Sequence, residues 1–157
     1  MSLFQTARWQ RQFDTGAFEV DTDPARLPID TAYDFIGRRS YWGKGMPEGV
    51  FRRSVAGALC FGIYHDDALV GFARVITDGA TIAYLGDVFI DEAYRGRGLS
   101  KWLMECIHSH PDLTGLRRWM LFTADAHALY RQFGWTEAAR PERYMERLNQ
   151  NVYQQEQ

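Results

Sequence analysis

Residues 59–64, 69–76 and 81–90 are three runs dense in apolar, β-branched and aromatic side chains, separated by the polar turns His65-Asp66-Asp67 and Asp78-Gly79. Runs of that length with tight-turn residues between them predict three strands joined as an antiparallel meander. Beyond Tyr94 the apolar spacing lengthens. Leu99, Trp102, Leu103, Cys106 and Ile107 recur at the helical period, giving an amphipathic helix that Pro111 stops. Residues 119–122 then read as a short strand. Ala126, Leu129, Tyr130 and Phe133 mark another helix, with Gly134 where a left-handed C-terminal cap belongs. Upstream, Ile29, Ala32, Tyr33 and Ile36 lie on one helical face. Residues 37–45 (GRRSYWGKG) read as a loop, and Pro47 suits the first turn of a second helix carrying Val50, Phe51, Ser54 and Val55 inward. A short strand is expected around Glu19 and Val20, and two more at 136–139 and 143–148. Residues 1–16 show no period, and the tail from Asn149 is rich in glutamine.

Two helices, three antiparallel strands, then helix, strand, helix and one or two strands make an α+β fold. A strand–helix–strand crossover beside a meander gives a mixed, mostly antiparallel central sheet flanked by helices on both faces. At 157 residues the chain is read as a single domain over 1–157, its core at about 17–148 and its ends, 1–16 and 149–157, peripheral or frayed.

Composition removes several classes of function. A formal net charge of −2 argues against a broad nucleic-acid footprint. No apolar run approaches the roughly 18 residues a membrane helix needs. The start, MSLFQTARWQRQF, lacks a signal-peptide core, and Cys60 and Cys106 are too few for a disulfide framework. The chain therefore reads as a cytoplasmic protein with neither membrane nor nucleic acid as partner. Cys106, His108 and His110 suggest a metal at first sight. Residues two apart on a helix point away from one another, so they are read as a solvated helix end and no metal is expected.

The chemistry concentrates in residues 88–103, VFIDEAYRGRGLSKWL. A strand runs into a turn of alternating arginine and glycine, and a helix starts there. Amides at a helix start are unsatisfied donors in a positive potential. Gly96 and Gly98 let an anion approach the main chain, and Arg95 and Arg97 add charge, so the segment reads either as a phosphate cradle or as a solvated turn. It is neither of two better-known loops. The dinucleotide fingerprint needs glycine where Lys101 stands; the Walker loop needs Gly37 one residue nearer to Gly43-Lys44, and a hydroxyl where Gly45 stands.

Arg95-Gly96-Arg97-Gly98-Leu99-Ser100, after the strand end Val88-Phe89-Ile90, resembles the acetyl-coenzyme-A motif of the GNAT superfamily of N-acetyltransferases, Gln/Arg-x-x-Gly-x-Gly/Ala, with Ser100 at the last small position. Residues 121–130 (LFTADAHALY) with Phe133-Gly134-Trp135 resemble the superfamily's second motif, Thr123 standing where Asn is frequent. Ser40-Tyr41-Trp42 and Asp125-Ala126-His127 resemble a bacterial branch whose members mostly lack assigned substrates. The resemblance implies acetyl-CoA as cosubstrate, with its pyrophosphate on the amides of residues 96–100 and its pantetheine arm beside Val88, Phe89 and Ile90, where a bulge splays that strand from the next. It implies direct attack by a primary amine, of a small molecule or a protein, on the thioester. A backbone N–H near Phe89 or Ile90 would serve the oxyanion.

The same resemblance gives Tyr130 the role of acid for the departing thiolate; as packing alone, it lies on the apolar face with Ala126, Leu129 and Phe133. Asp87, a carboxylate in an otherwise apolar strand, is costly there without a partner or a cavity. It is either the base or amine anchor, or a structural hydrogen-bonding group in the sheet. Asp125 is expected in the first turn of its helix, where the dipole favours a carboxylate, and His127 on an exposed helix face. Tyr41 and Trp42 fall in the loop that overhangs the acceptor in this superfamily, as an aromatic wall or as caps on the core. The alternative to an enzyme is a non-catalytic acyl-CoA-binding regulatory module, which would keep the Arg95–Ser100 loop and need no tyrosine acid. An edge strand near the C-terminus offers a surface for a homodimer.

Overall fold

The computed structural model describes residues 2–154 and places a six-stranded sheet at the centre. Its strands are β1 (Arg8–Phe13), β2 (Gly16–Asp21), β3 (Leu59–His65), β4 (Ala68–Thr77), β5 (Ile82–Ile90) and β6 (Arg118–Leu121), ordered in the sheet as in the chain. Every neighbouring pair is antiparallel except β5 and β6, which run parallel. The helices are α1 (Ile29–Tyr33), continued by a π-helical turn over Asp34–Arg39, then α2 (Glu48–Ala56), α3 (Leu99–Ser109) and α4 (His127–Arg131). The expected α+β class and the meander are as the sequence implied. Compact packing divides the chain after Leu121, with the second unit starting at Phe122.

Alternation along the strands sorts the core onto two faces. Phe61 pairs with Ala73 and Gly62 with Phe72, so Phe61 and Phe72 point opposite ways. Phe51 of α2 lies 6.0 Å from Phe72 and fills one face. On the other, Trp9 stacks on Phe61 at 6.1 Å and Trp102 of α3 meets Phe13 at 5.5 Å. Leu99, Trp102, Leu103, Cys106 and Ile107 are all buried. At roughly 25 cal/mol per Å² of apolar surface, each such side chain contributes about 1.5–3 kcal/mol of transfer free energy.

Four expectations change. Residues 1–16 hold β1, on the outer edge of the sheet. Residues 37–39 belong to the π-helical turn rather than to a loop. No strand forms at 136–139 or 143–148: Pro141–Arg143 is a single 3₁₀ turn, and Met145 and Leu148 are 91% and 65% exposed. A ladder needs a neighbouring strand, and these residues pair with none among the described ones. The end of α3 is not solvated either, since Cys106 and His110 are buried. Across from His110 lie Trp9 and Phe61, and its Nε2 donates to Gln5 O at 3.1 Å while Nδ1 accepts from the Asp112 N–H. Burial lowers its pKa and favours the neutral ring.

Candidate active site

The pairing of β5 with β6 runs from Ile82↔Arg118 to Leu85↔Leu121 and stops there. On its other side, β5 pairs with β4 as Arg74↔Gly86 and then Phe72↔Phe89, so Ala73 faces two residues, Asp87 and Val88. That is a β-bulge, and Asp87 at its apex has φ of 55°. A bulge re-aims the strand and increases local twist. The stretch 86–90 thus continues past the last β6 rung, and no strand among the described residues pairs with it on that side. Val88 and Ile90 are half-buried there and Phe89 is buried. The Phe89 ring stacks on Phe35 at 5.0 Å and lies under the guanidinium groups of Arg39 and Arg95, each 5.3 Å from its centroid.

Just beyond β5, the Asp91 side chain caps a 3₁₀ turn at Glu92–Tyr94, and Arg95 to Gly98 lead into α3. Gly96 and Gly98 have φ of 75° and 84°, a region that glycine enters without penalty. A Cβ on Gly96 would meet nothing within 4 Å, and one on Gly98 only Phe13 at 3.8 Å, so the loop is open above its amides. No side chain caps α3 and no acidic residue stands in its first turn. Its first internal bond runs from the Trp102 N–H to Gly98 O at 3.2 Å, which leaves the amides of Leu99, Ser100 and Lys101 ahead of the helical ladder. Arg95 donates to Ile90 O and Arg97 to Ala93 O, both at 2.9 Å. The arginines brace the loop and keep their charge beside it. A pyrophosphate fits this cradle by charge, by donors and by clearance.

Asp87 has two side-chain partners. Its Oδ2 accepts from Arg74 Nε at 2.8 Å and its Oδ1 from the Trp42 indole N–H at 3.0 Å. The Asp87 side chain is 7% exposed and that of Arg74 13%. Cys60 and Tyr84 feel both charges. Burial pushes the Cys60 thiol up to about 12 and raises Tyr84, with Asp87 adding to the shift, so both stay protonated. Sequence reasoning missed Arg74. The available signal was one basic residue in the apolar run Phe72-Ala73-Arg74-Val75, facing one acidic residue in the next.

The loop that carries Trp42 is built around Ser40. This buried hydroxyl donates to Ile36 O at 2.7 Å and accepts from the Gly43 N–H at 2.9 Å, closing a tight turn behind the π-helical segment. Tyr41 and Trp42 meet edge to face at 5.0 Å and are 67% and 43% exposed. Both rings are exposed, Trp42 with its indole N–H turned inward to Asp87. Trp42 also lies 6.4 Å from Phe89.

In the second unit, Tyr130 is a buried residue of α4, packed against Trp135 at 5.9 Å. The Thr123 hydroxyl accepts from the Ala126 N–H at 3.0 Å, turning the chain into α4. Asp125 precedes α4 instead of lying in its first turn, because the helix starts only at His127, which is exposed. Among the described residues, no group of three or more His, Cys, Asp or Glu side chains is placed to hold a metal ion, and no helix is long and apolar enough to cross a membrane.

A mixed sheet that opens beside β5 and feeds directly into an uncapped helix start has the construction implied for a CoA-dependent acyltransferase. Comparison with known proteins makes the class specific. The profile of the acetyltransferase (GNAT) domain matches residues 56–137, and the chain belongs to that family. A structure from Xanthomonas campestris pv. campestris, a candidate acetyltransferase of the GNAT family, matches with a TM-score of 0.84 at 44% identity, over 87% of this chain and 96% of its own. A candidate acetyltransferase of Gibberella zeae is 28% identical over 152 residues, 83% of this chain and 82% of its own. A candidate acetyltransferase of Clostridium acetobutylicum, solved with acetyl-CoA, shares the fold at a TM-score of 0.58 and 11% identity, over 92% of this chain and 96% of that one.

Proposed function

We propose that the protein moves an acetyl group from acetyl-CoA to a primary amine by direct attack. The observation that carries this reading is the uncapped start of α3 immediately after the opened stretch of β5. One feature seats the pyrophosphate, and the other offers main-chain donors to the acyl arm. The neutral amine nitrogen attacks the thioester carbon, and the oxygen of the tetrahedral intermediate takes a hydrogen bond from a main-chain N–H near Phe89 or Ile90. Removal of one such donor from an oxyanion site costs roughly 3–4 kcal/mol of barrier. The C–S bond then breaks, Tyr130 gives its phenolic proton to the thiolate, and the new amide nitrogen loses its extra proton. Asp87 is the group proposed to receive the amine, as anchor or as acceptor of that proton. Tyr41 and Trp42 form the aromatic wall beside it. The amine belongs to a small molecule or to a protein.

A screen of amines by thiol release from acetyl-CoA tests the reading, with Tyr130→Phe as the control. Proton donation in such a step is worth roughly 10²–10⁴-fold. The variant is expected to keep its affinity for acetyl-CoA and lose turnover on that scale. Turnover equal to wild type would remove Tyr130 from the mechanism. Tight acetyl-CoA binding with no thiol release from any amine would favour a non-catalytic acyl-CoA-binding module.

A further inference from the structure

Asp87 is tied to two other elements at once, β4 through Arg74 and the loop after the π-helical turn through Trp42. Its backbone is left-handed, a conformation that costs an L side chain free energy and persists only where the surroundings over-determine it. Two charge-assisted hydrogen bonds, one to each carboxylate oxygen, supply that determination. Arg74 is the more telling partner. Its own backbone makes the last regular rung before the bulge, opposite Gly86, and its side chain reaches the apex of the same bulge. With Cys60 and Tyr84 both held protonated, neither offers an anion that competes for the guanidinium.

We propose that Arg74 is a positioning residue for acetyl transfer. Acting through Asp87, it fixes the apex of the β5 bulge and the seat of Trp42. In doing so it sets the main-chain donors of residues 88–90 against the loop that overhangs the acceptor. The proposal rests on the acetyl-transfer reading above. Its physical content is that one ion pair holds both sides of the reacting centre in register, the cofactor arm on β5 and the aromatic wall at Trp42. Misplacement of reacting groups by about 1 Å costs on the order of a hundredfold in rate.

The test combines Arg74→Met, Arg74→Lys and Trp42→Phe with indole N–H spectra of protein labelled with ¹⁵N at its five tryptophans. Trp42→Phe identifies the Trp42 signal and keeps the buried ion pair intact, so it is readable even if Arg74→Met folds poorly. Arg74→Met is expected to move the Trp42 signal and to lower kcat by roughly tenfold to a hundredfold, with acetyl-CoA affinity within about threefold of wild type. Arg74→Lys, which keeps the charge, is expected to recover part of both. A purely structural arginine would change the melting temperature and leave kcat per folded molecule and the Trp42 signal where they were. That result would overturn the proposal. If wild-type protein itself neither binds acetyl-CoA nor releases thiol, the functional reading falls. A Trp42 signal that does not respond to Arg74→Met then sinks the clamp separately.

Discussion

Asp66 and Asp67 turn the chain between β3 and β4 with φ of 48° and 64°, while Asp87 sits inside β5 with φ of 55°. The three share a side chain and a backbone region and differ in what holds them there. A two-residue hairpin turn needs positive φ at both positions to match the twist of its strands, and aspartate tolerates it. The Asp67 carboxylate is 98% exposed, and its one ion pair among the described residues is with Arg26, at 3.4 Å. Asp87 has no turn to serve. Its conformation interrupts the ladder, and the group that stabilises it is an ion pair almost out of water. The hairpin turn is local chemistry, readable from three polar residues. The bulge is a tertiary device, and it lies beside the proposed acyl-transfer site.

Breaking each in turn separates the two. The largest effect is expected from Asp87→Ala, which removes both hydrogen bonds at the apex. Thiol release should fall on the order of a hundredfold with acetyl-CoA affinity little changed, whereas Asp67→Ala should leave turnover at the wild-type value. Next comes stability. Arg74→Met leaves a buried carboxylate without its cation, a loss of about 3–5 kcal/mol for a buried pair, measured by urea unfolding. Trp42→Phe, at the more exposed end of the same chain of bonds, should cost about 1 kcal/mol.

A third effect comes from a buried polar group away from the site. His110 is held neutral by burial, so its folded pKa lies below the usual value near 6.5. A group with a depressed folded pKa of this kind contributes stability that is present above 6.5 and lost as pH falls through the folded value. Unfolding free energy should therefore drop between pH 7 and pH 5. His110→Gln should flatten that slope, with His108, also lowered by burial, left to account for the remainder. The smallest effect is expected from Asp67→Gly, which trades turn strain for chain entropy and should move stability by less than about 1 kcal/mol.

The parts of the fold that were legible are those with a long apolar run or an unbroken helical period. The three meander strands are dense enough in apolar residues to read as strands despite the bulge in β5, and α3 keeps its helical spacing from end to end. β1 was not legible because Arg11, an exposed residue, stands between Trp9 and Phe13 on the same face of the strand. Its guanidinium lies 5.5 Å from the Trp102 ring, which satisfies the site and interrupts the alternation. His110 looked solvated because the residues that bury it, Trp9 and Phe61, are distant in sequence. The uncapped helix start was legible because it is marked in consecutive residues, Arg95 to Ser100. The clamp was not. Asp87 stood out as an acid in an apolar strand, but its partners Arg74 and Trp42 come together only through the register of β4 and the path of the loop.

The most direct test of the central claim is calorimetric titration of the protein and of Gly98→Val with acetyl-CoA, desulfo-CoA and ATP. A side chain at Gly98 must adopt φ of 84° above the amides proposed for the pyrophosphate. Saturable binding of both CoA compounds by wild type, weak ATP binding, and at least tenfold weaker CoA binding by a folded Gly98→Val are expected. CoA binding that is absent in the folded wild type, or unchanged in the variant, would contradict the assignment of the cradle.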